Sequence, residues 1–325
     1  MNNKIIQELL KNKKKDIKDS KILCIGDIIL DRYVYGRIDR VSPEAPVPIL
    51  LVTSEKYQLG GVGNVAKNIS SLGGRPSIFY LSSNNDVSKK INGLIKCEKN
   101  IKRIEAKVNA FKAPVKTRYI NKSSHIIRVD DENCDFKLSK KSQEYILKRL
   151  ELEIKKYNII ILSDYNKGFL SKKIIQQIIK ISKKYGKMVI GDPKKNDLSI
   201  YSNIDLLTPN QKEITASSKK KFLSEEDIIK FSRKLIKDNK IQELLVTRSE
   251  NGMLLVNSSD TYKINASAKK VNDVTGAGDT VVGTLALMLS IGLSMYDSVS
   301  IANYAAGLVV EKYGTESLTY RDIVN

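Results

Sequence analysis

The sequence predicts an α/β fold with a doubly wound, mostly parallel sheet and a small β-flap that acts as a lid. Short apolar runs of strand length recur along the 325 residues, and helical patterns separate several of them. This alternation is typical of parallel βαβ units. Two pairs of strand-like segments break the alternation and resemble hairpins, which predicts the lid.

The chain begins with a lysine-rich segment, residues 1–20, which we interpret as a basic N-terminal helix before a single domain at 21–325. The first predicted strand is Ile22–Gly26, an apolar run that ends in glycine. The later predicted strands have the same apolar character: Ile78–Leu81, Ile159–Leu162, Met188–Ile190, Ile204–Leu207 and Leu244–Val246. Helices are predicted at Val65–Leu72, Ser171–Lys184, Glu225–Lys237, Ala277–Ser290 and Ser294–Lys312.

The predicted lid strands fall within about residues 33–53 and 115–129. Tyr33–Gly36 pairs with Val47–Thr53, and Val115–Asn121 pairs with Ile126–Val129. The polar residues Asn121–Ser124 supply the turn of the second hairpin. Because the chain has no low-complexity linker and no internal repeat, we expect one domain with an appended lid.

Composition favours a cytoplasmic protein without a membrane partner. No apolar run reaches the roughly 18 residues that cross a bilayer, and residues 1–20 lack the apolar stretch of a secretory signal. The cysteines, Cys24, Cys97 and Cys134, form no CxxC pair, which fits a reducing compartment. The single histidine, His125, leaves no His–Cys metal site. A Ser-His-Asp triad would have to use His125, which follows Ser123 and Ser124 in a polar turn, so a plain surface histidine is the better interpretation.

The formal net charge of +20 raises the question of a nucleic-acid partner. The lysines are scattered, with compact runs only at Lys13–Lys15 and Lys219–Lys221, and aromatic residues are not interleaved with them. We therefore expect no nucleic acid as partner, and a basic nucleic-acid-binding protein with a vestigial site is kept as the alternative from another class. A positive field favours an anionic substrate.

The strongest motif is the run from Asp273 to Thr280, DVTGAGDT, followed by an apolar stretch. Small residues at Gly276, Ala277 and Gly278 let main-chain amides approach an anion, and the positive end of the next helix points to the same place. Asp279 in the first turn is placed to accept a proton from an attacking hydroxyl. The alternative is that Asp279 only caps the helix.

A second glycine-rich segment, Gly61–Ala66, satisfies the GxGxxG/A dinucleotide pattern but follows a polar stretch, Ser54–Gln58, where that pattern requires a buried strand. We interpret Gly60–Asn64 as a loop over a polar substrate, with Asn64 offering both donor and acceptor to hydroxyl groups. No GxxxxGK[ST] loop is present, so phosphate binding has to rest on Gly276–Asp279.

Three further loops follow predicted strands, where open α/β sheets bind ligands. Asp192–Lys194 is one of them. Asn210 and Glu213 are three residues apart at a predicted helix start, where they either orient the waters of Mg²⁺ or form a capping box. Asp27 and Asp31 follow the first strand, and we favour sugar binding by one of them over a solvated loop.

Together these motifs resemble those of ribokinase-like (PfkB) carbohydrate kinases, in which the same four groups occur in the same order. Three further stretches are similar to heptose-7-phosphate kinases of that superfamily: Ser42–Pro48, Leu162–Tyr165 with Lys167-Gly168, and Leu245–Glu250. The similarity runs from about Lys21 to Asp322 and implies a stand-alone kinase without a fused nucleotidyltransferase domain. Another sugar or nucleoside kinase of the superfamily is the alternative.

The resemblance implies a function and a role for each motif. Mg²⁺-ATP would phosphorylate O1 of D-glycero-β-D-manno-heptose 7-phosphate, with Asp279 as base and the backbone of Gly276, Ala277 and Gly278 holding the γ-phosphate. ATP and Mg²⁺ would contact Asn210, Gln211, Lys212 and Glu213, the last through water, with Asn303 near adenine. The sugar would contact Asp31, Gly60, Gly61 and Asn64. Candidates for its 7-phosphate are Arg37, Arg40, Lys116, Arg118, Lys167 and Lys194. Related kinases commonly form homodimers through the flap.

Overall fold

The computed structural model describes residues 3–122, 124–133, 135–268, 270–312 and 316–324. Ser123 and Cys134, two residues of the sequence predictions, lie outside this part. The strands in chain order are β1 (Ile22–Gly26), β2 (Ile28–Val41), β3 (Pro48–Gly61), β4 (Ser77–Ser82), β5 (Lys102–Lys107), β6 (Val115–Asn121), β7 (Ser124–Asp131), β8 (Ile159–Ser163), β9 (Met188–Asp192), β10 (Leu206–Leu207), β11 (Glu243–Thr247), β12 (Met253–Val256) and β13 (Thr261–Ile264). The α-helices are α1 (Asn3–Leu10), α2 (Lys14–Lys18), α3 (Val62–Ser71), α4 (Asp86–Cys97), α5 (Lys140–Ile154), α6 (Lys172–Lys184), α7 (Gln211–Ser218), α8 (Glu225–Asn239), α9 (Ala277–Ser290), α10 (Met295–Val310) and α11 (Tyr320–Val324).

The large sheet of the described chain has nine strands in the order β13-β12-β11-β10-β9-β8-β1-β4-β5. All neighbours from β11 to β5 are parallel, whereas β12 and β13 pair antiparallel at one edge. Every residue of β1, β4 and β8 is buried, as expected for strands covered by helices on both faces. The predicted α/β class is confirmed, and the parallel strands bring their carboxyl ends to one edge.

Local signals explain the ends of several helices. Ser171 and Ser224 accept hydrogen bonds from the first turns of α6 and α8, and Ser224 forms a capping box with Asp227. Helix α9 is buried over most of its length, because it packs between α3 and α10. This burial fixes the start of α9 against the carboxyl edge of the sheet.

A smaller sheet carries the strands that the sequence assigns to the lid, in the order β3-β2-β6-β7. Strands β2 and β3 form one antiparallel hairpin and β6 and β7 another, while β2 and β6 run parallel. Strand β2 begins only one residue after β1, so the predicted loop at Asp31 is wrong and Asp31 lies within a strand. The polar stretch Ser54–Gln58 is likewise part of β3, because a strand exposed to water need not be apolar.

The described part of the N-terminal segment, residues 3–20, is mostly helical, but the prediction of one continuous helix is wrong there. It forms α1 and α2, which are separated at Asn12, a residue with a left-handed φ of 65°. Ile6 and Ile17 are fully or almost fully buried, and the hydroxyl of Tyr320 in α11 donates to the carbonyl of Leu10 at 2.8 Å. The two ends of the chain therefore pack together against the core.

The predicted strand at Ile204–Leu207 is shorter than expected, since only Leu206 and Leu207 pair with neighbours. Strands β5, β12 and β13 were missed because polar residues interrupt β5 and β13, and Gly252 directly precedes β12. Among the residues described, no helix combines the length and apolarity needed to cross a bilayer.

Candidate active site

A cavity of about 530 Å³ opens at the carboxyl edge of the large sheet. Its walls come from segments that follow consecutive strands: Tyr165 after β8, Lys194 after β9 and Asn210 after β10. The start of α9 and Asn303 of α10 close the other side. The fold thus gathers side chains that are more than a hundred residues apart in sequence.

The start of α9 has the geometry of an anion site. Gly276 adopts a left-handed conformation with φ 81°, and a Cβ at Gly278 would meet no atom within 4 Å, so the backbone is open there. The amide of Ala277 already donates to the carbonyl of Val274 at 3.2 Å. An anion at this positive helix end would therefore be held by the amides that follow in the first turn.

Asp279, in the first turn of α9, is 5% exposed. Asn64 donates from Nδ2 to one carboxylate oxygen at 2.7 Å, and the hydroxyl of Tyr165 donates to the other at 2.8 Å. The cap position of α9 is Gly276, without a side-chain cap. Because the carboxylate is bonded to side chains of other elements, capping does not explain Asp279.

Burial and neighbouring charges set the ionisation of this region. Burial raises the pKa of Asp279, whereas the hydrogen bonds from Asn64 and Tyr165 and the charge of Lys194 lower it. Burial, with smaller contributions from nearby carboxylates, raises the pKa of Asp192 to about 7. For Lys194, burial disfavours the charged form, but the carboxylates around it, Asp192 foremost, raise its pKa overall.

On the lid side, Asp31 and Arg118 form an ion pair at 2.5 Å, with side chains 8% and 10% exposed. Gly60 is needed beside them, because a Cβ there would lie 2.2 Å from Oδ2 of Asp31. Gly61, with φ 59°, is the last residue of β3 and the N-cap of α3, the helix that carries Asn64, so the predicted loop over Gly60–Asn64 is wrong. The four residues predicted to bind the sugar therefore share one region next to Asp279.

Of the two early carboxylates, Asp27 has a structural role, which leaves Asp31 as the candidate for sugar binding. It accepts hydrogen bonds from the amides of Tyr165, Lys167 and Phe169, at 3.0, 3.0 and 3.3 Å. Burial, reinforced by Asp164, raises the pKa of Asp27 to about 6. Asp27 holds the segment after β8 in place.

Asn210 and Glu213 form a complete capping box at the start of α7. Glu213 also accepts from Lys194 at 2.8 Å, and Asn210 and Glu213 both line the cavity. Gln211 and Lys212, which the sequence groups with them, are exposed and do not line it, because the helix turns them outward. Asn303 lines the cavity and donates to the carbonyl of Asn265 at 2.8 Å.

Within the described chain, no cluster of three or more His, Cys, Asp or Glu side chains forms a ready metal cage. Magnesium ions are usually held by one or two carboxylates together with substrate phosphates and water. Glu213 and Asp192 in the cavity wall fit that donor set.

Most basic side chains suggested for a sugar phosphate are already in ion pairs: Arg37 with Asp39, Arg118 with Asp31, Lys167 with Glu132, and Lys194 with Glu213. Arg40 is exposed on the lid. Lys116 of β6 differs, because it lies 5.5 Å from the ring centre of Tyr165 and burial lowers its pKa. No ion pair of Lys116 within 4.0 Å is found among the residues described.

Sequence reasoning noted the stretch Leu162–Tyr165 but gave Tyr165, which contacts Asp279, no role, and it gave Asp192 none of its own. One signal was available, since Asp192 ends a buried strand and Tyr165 comes two residues after another, at the edge where ligands bind. Their contacts depend on the packing of separate βαβ units, which no local pattern records.

Comparison with known proteins gives a consistent family assignment. Residues 19–321 match the sequence profile of "pfkB family carbohydrate kinase". The bifunctional protein HldE of Campylobacter fetus subsp. fetus is 39% identical over 307 residues, which cover 94% of this chain and 66% of that protein. HldE of Granulibacter bethesdensis is 36% identical over 322 residues, covering 95% and 65%. The chain thus spans slightly less than two thirds of these relatives' length.

Solved structures give the same fold. Phosphofructokinase-2 from Escherichia coli superposes with a TM-score of 0.80 at 21% identity, covering 94% of this chain and 96% of that one. Ribokinase from Thermotoga maritima superposes with a TM-score of 0.70, also at 21% identity, covering 94% and 98%. At this identity the likeness concerns the fold alone, and it confirms the predicted ribokinase-like architecture.

The contact between Gly60 and Asp31 gives a stability prediction. Gly60→Ala should lower the free energy of unfolding by about 1–3 kcal/mol, because the new Cβ has to displace the carboxylate that pairs with Arg118. Gly93→Ala in α4 is the matched control, since a Cβ there meets nothing within 4 Å, and it should gain about 0.5–1 kcal/mol. Urea unfolding measures both. Equal stabilities for the two variants would show that Asp31 is not tightly held.

Proposed function

The chain belongs to the pfkB family of carbohydrate kinases, and from that membership we propose that it phosphorylates D-glycero-β-D-manno-heptose 7-phosphate. ATP is the phosphoryl donor, O1 of the sugar is the acceptor and the 1,7-bisphosphate is the product. The observation that carries the chemistry is the buried Asp279 carboxylate beside the open start of α9. The heptose is supported by the similarity to HldE over 94% of this chain. The product would feed ADP-heptose and lipopolysaccharide core synthesis in the cytoplasm.

In this proposal Asp279 takes the proton from the O1 hydroxyl as that oxygen attacks the γ-phosphorus of ATP. The new O1–phosphorus bond forms while the bond from the γ-phosphorus to its bridging oxygen breaks, and ADP leaves with the electron pair. Main-chain amides in the Gly276–Asp279 turn stabilise the negative charge on the transferred group.

ATP would occupy the cavity, with its adenine near Asn303 and its phosphates directed to the start of α9. Mg²⁺ would be held mainly by the phosphates and water, with Glu213 and Asp192 as the carboxylates of the wall. When bound, the ion neutralises charge on the phosphate groups. Gln211 and Lys212 point away from the cavity, so we assign them no contact with the base or sugar of ATP.

The sugar would lie between Asp279 and the lid, in contact with Asn64, Asp31 and the backbone of Gly60 and Gly61. Lys116 is the basic residue best suited to its 7-phosphate, because it faces Tyr165 and is not drawn into an ion pair with a described residue. Burial disfavours the charged form of this lysine, and the negative charge of a bound phosphate ester would favour it.

The substrate proposal predicts the outcome of a phosphoryl-transfer assay with ATP over four acceptors. Heptose 7-phosphate should give the highest kcat/KM, whereas ribose, fructose 6-phosphate and adenosine should be poor. Turnover with only one of those three would contradict the heptose assignment and indicate another sugar or nucleoside kinase of the family. Salt-sensitive nucleic-acid binding without any turnover would favour the vestigial site.

The role of Asp279 predicts that Asp279→Asn keeps ATP binding but loses about 10²-fold or more in kcat, as is usual for a lost general base. Asp86→Asn, exposed at the start of α4, is the matched control and should keep full activity. Calorimetry with ATP and steady-state kinetics measure the two quantities. Near-normal turnover of Asp279→Asn would show that Asp279 is not the general base.

We further propose that two copies associate through the lid, as the family resemblance implies. Strand β7 is exposed along its described length, and several large apolar side chains of the lid face solvent: Val47, Leu51, Val52, Ile127 and Val129. Exposed apolar patches on a folded protein typically mark association surfaces.

The lid dimer predicts that Ile127→Glu converts a dimer into a monomer in sedimentation velocity, because a charge would have to be buried in an apolar contact. The matched control is Leu223→Glu, since Leu223 is 87% exposed and lies outside the lid. A wild-type protein that is monomeric at micromolar concentration would rule the lid dimer out.

A further inference from the structure

Tyr165 contacts both the lid and the wall of the cavity. It lies two residues after β8, and two lysines lie near its ring centre, Lys116 of the lid at 5.5 Å and Lys194 of the cavity wall at 5.6 Å. Its hydroxyl donates to Asp279 at 2.8 Å. Neither the family assignment nor the sequence motifs give this tyrosine a role.

The segment that carries Tyr165 is firmly anchored. Asp27 accepts the amide of Tyr165 itself at 3.0 Å. Asp164, which is fully buried, accepts the amide of Asn166 at 2.8 Å and the hydroxyl of Tyr201 at 2.5 Å, and forms an ion pair with Lys195. A loop with this many buried polar contacts has few alternative conformations, so the position of its tyrosine ring is set before any ligand binds.

A carboxylate offers about four lone-pair positions to hydrogen-bond donors. At Asp279 the Tyr165 hydroxyl uses one oxygen and the Asn64 amide uses the other, at 2.8 and 2.7 Å. Both oxygens therefore keep a free lone pair for an acceptor hydroxyl, while rotation of the carboxylate is blocked. An aspartate side chain without these donors would turn about its terminal bond.

We propose that Tyr165 is a positioning residue for the base, holding the Asp279 carboxylate ionised and oriented towards the acceptor hydroxyl. This inference rests on the proposed role of Asp279. The tyrosine donates a hydrogen bond and exchanges no proton in the reaction. Asn64 also donates from α3, so each oxygen of the carboxylate has one donor.

The charged groups around Asp279 act in both directions. Lys194 after β9 favours its ionised form, whereas Asp31 of the lid disfavours it, and Asp192 also interacts with it. Tyr165 stays protonated, because burial and the charge of Asp279 raise its pKa well above the usual range. The hydrogen bond from Tyr165 lowers the pKa of Asp279, whereas burial raises it. Removing the Tyr165 hydroxyl should therefore raise the pKa of Asp279.

The experiment is an NMR titration of the ligand-free full chain labelled with ¹³C at the aspartate carboxyl groups. The Asp279 signal is assigned by its loss in Asp279→Asn. Tyr165→Phe should move the titration midpoint of Asp279 to higher pH. Tyr185→Phe is the matched control, because Tyr185 lies at the end of α6 and its hydroxyl donates to Glu151 of α5, so the midpoint should stay unchanged.

Kinetics give a second readout. Because only ionised Asp279 accepts a proton, activity is lost as pH falls through its pKa, so Tyr165→Phe should shift the acid limb of kcat/KM to higher pH. Its kcat should fall about tenfold, since a hydrogen bond to a charged group is lost, with the KM for ATP unchanged. If Tyr165→Phe does not fold, 3-fluorotyrosine at position 165, a stronger donor of nearly the same shape, should move the midpoint to lower pH.

An unchanged titration midpoint in Tyr165→Phe, or an unchanged midpoint with 3-fluorotyrosine, would overturn the inference. The titration needs no substrate, so a wrong sugar assignment leaves it intact. Loss of activity in Asp279→Asn together with wild-type kinetics in Tyr165→Phe would overturn the positioning role and leave the kinase proposal standing.

Discussion

A carboxylate that is 5% exposed can stay ionised only if hydrogen bonds and charges replace the water it has lost, and Asp279 is such a group. The arrangement around it follows from this requirement. Asn64 lies on α3, which directly follows strand β3 of the lid. Tyr165 lies after β8, and Lys194 lies after β9. The start of α9 is thus the point at which three separate supersecondary units meet.

The same constraint explains the buried polar groups one layer further out. Asp27 and Asp164 form no contact with the cavity, yet their hydrogen bonds hold the segment that carries Tyr165. Gly60 permits Asp31 to lie close to the backbone of β3, and Arg118 balances its charge. Such networks favour one arrangement of the loops, because each unpaired alternative would leave a buried charge without a partner.

The positive charge of the chain favours the binding of anions. Both substrates of the proposed reaction are anions, and a net charge of +20 raises the local concentration of anions around the molecule. Within the site the charges are more nearly balanced, since most of its lysines and arginines face carboxylates. The net charge of the whole chain therefore attracts anionic substrates over a distance, whereas the paired charges of the site contribute little to that attraction.

The sequence by itself determined the features that depend on neighbours along the chain. Apolar runs located the central strands, α9 spans the residues predicted for it, and Asn210 with Glu213 indicated a capping box that the structure contains. The sequence also predicted that the motifs after the strands lie at the carboxyl edge of the sheet, because parallel strands end there. Hydrophobic periodicity and capping act within a few residues, so they are legible without a fold.

Only the tertiary structure decided which side chains touch. The Asn64–Asp279 bond joins residues 215 positions apart, the Tyr165–Asp279 bond spans 114, and the Asp31–Arg118 pair spans 87. It also separated Asp27, a loop anchor, from Asp31, and turned Gln211 and Lys212 outward while keeping Glu213 in the wall. These outcomes depend on how separate units pack, and packing leaves no signature in the residues adjacent to each member of a pair.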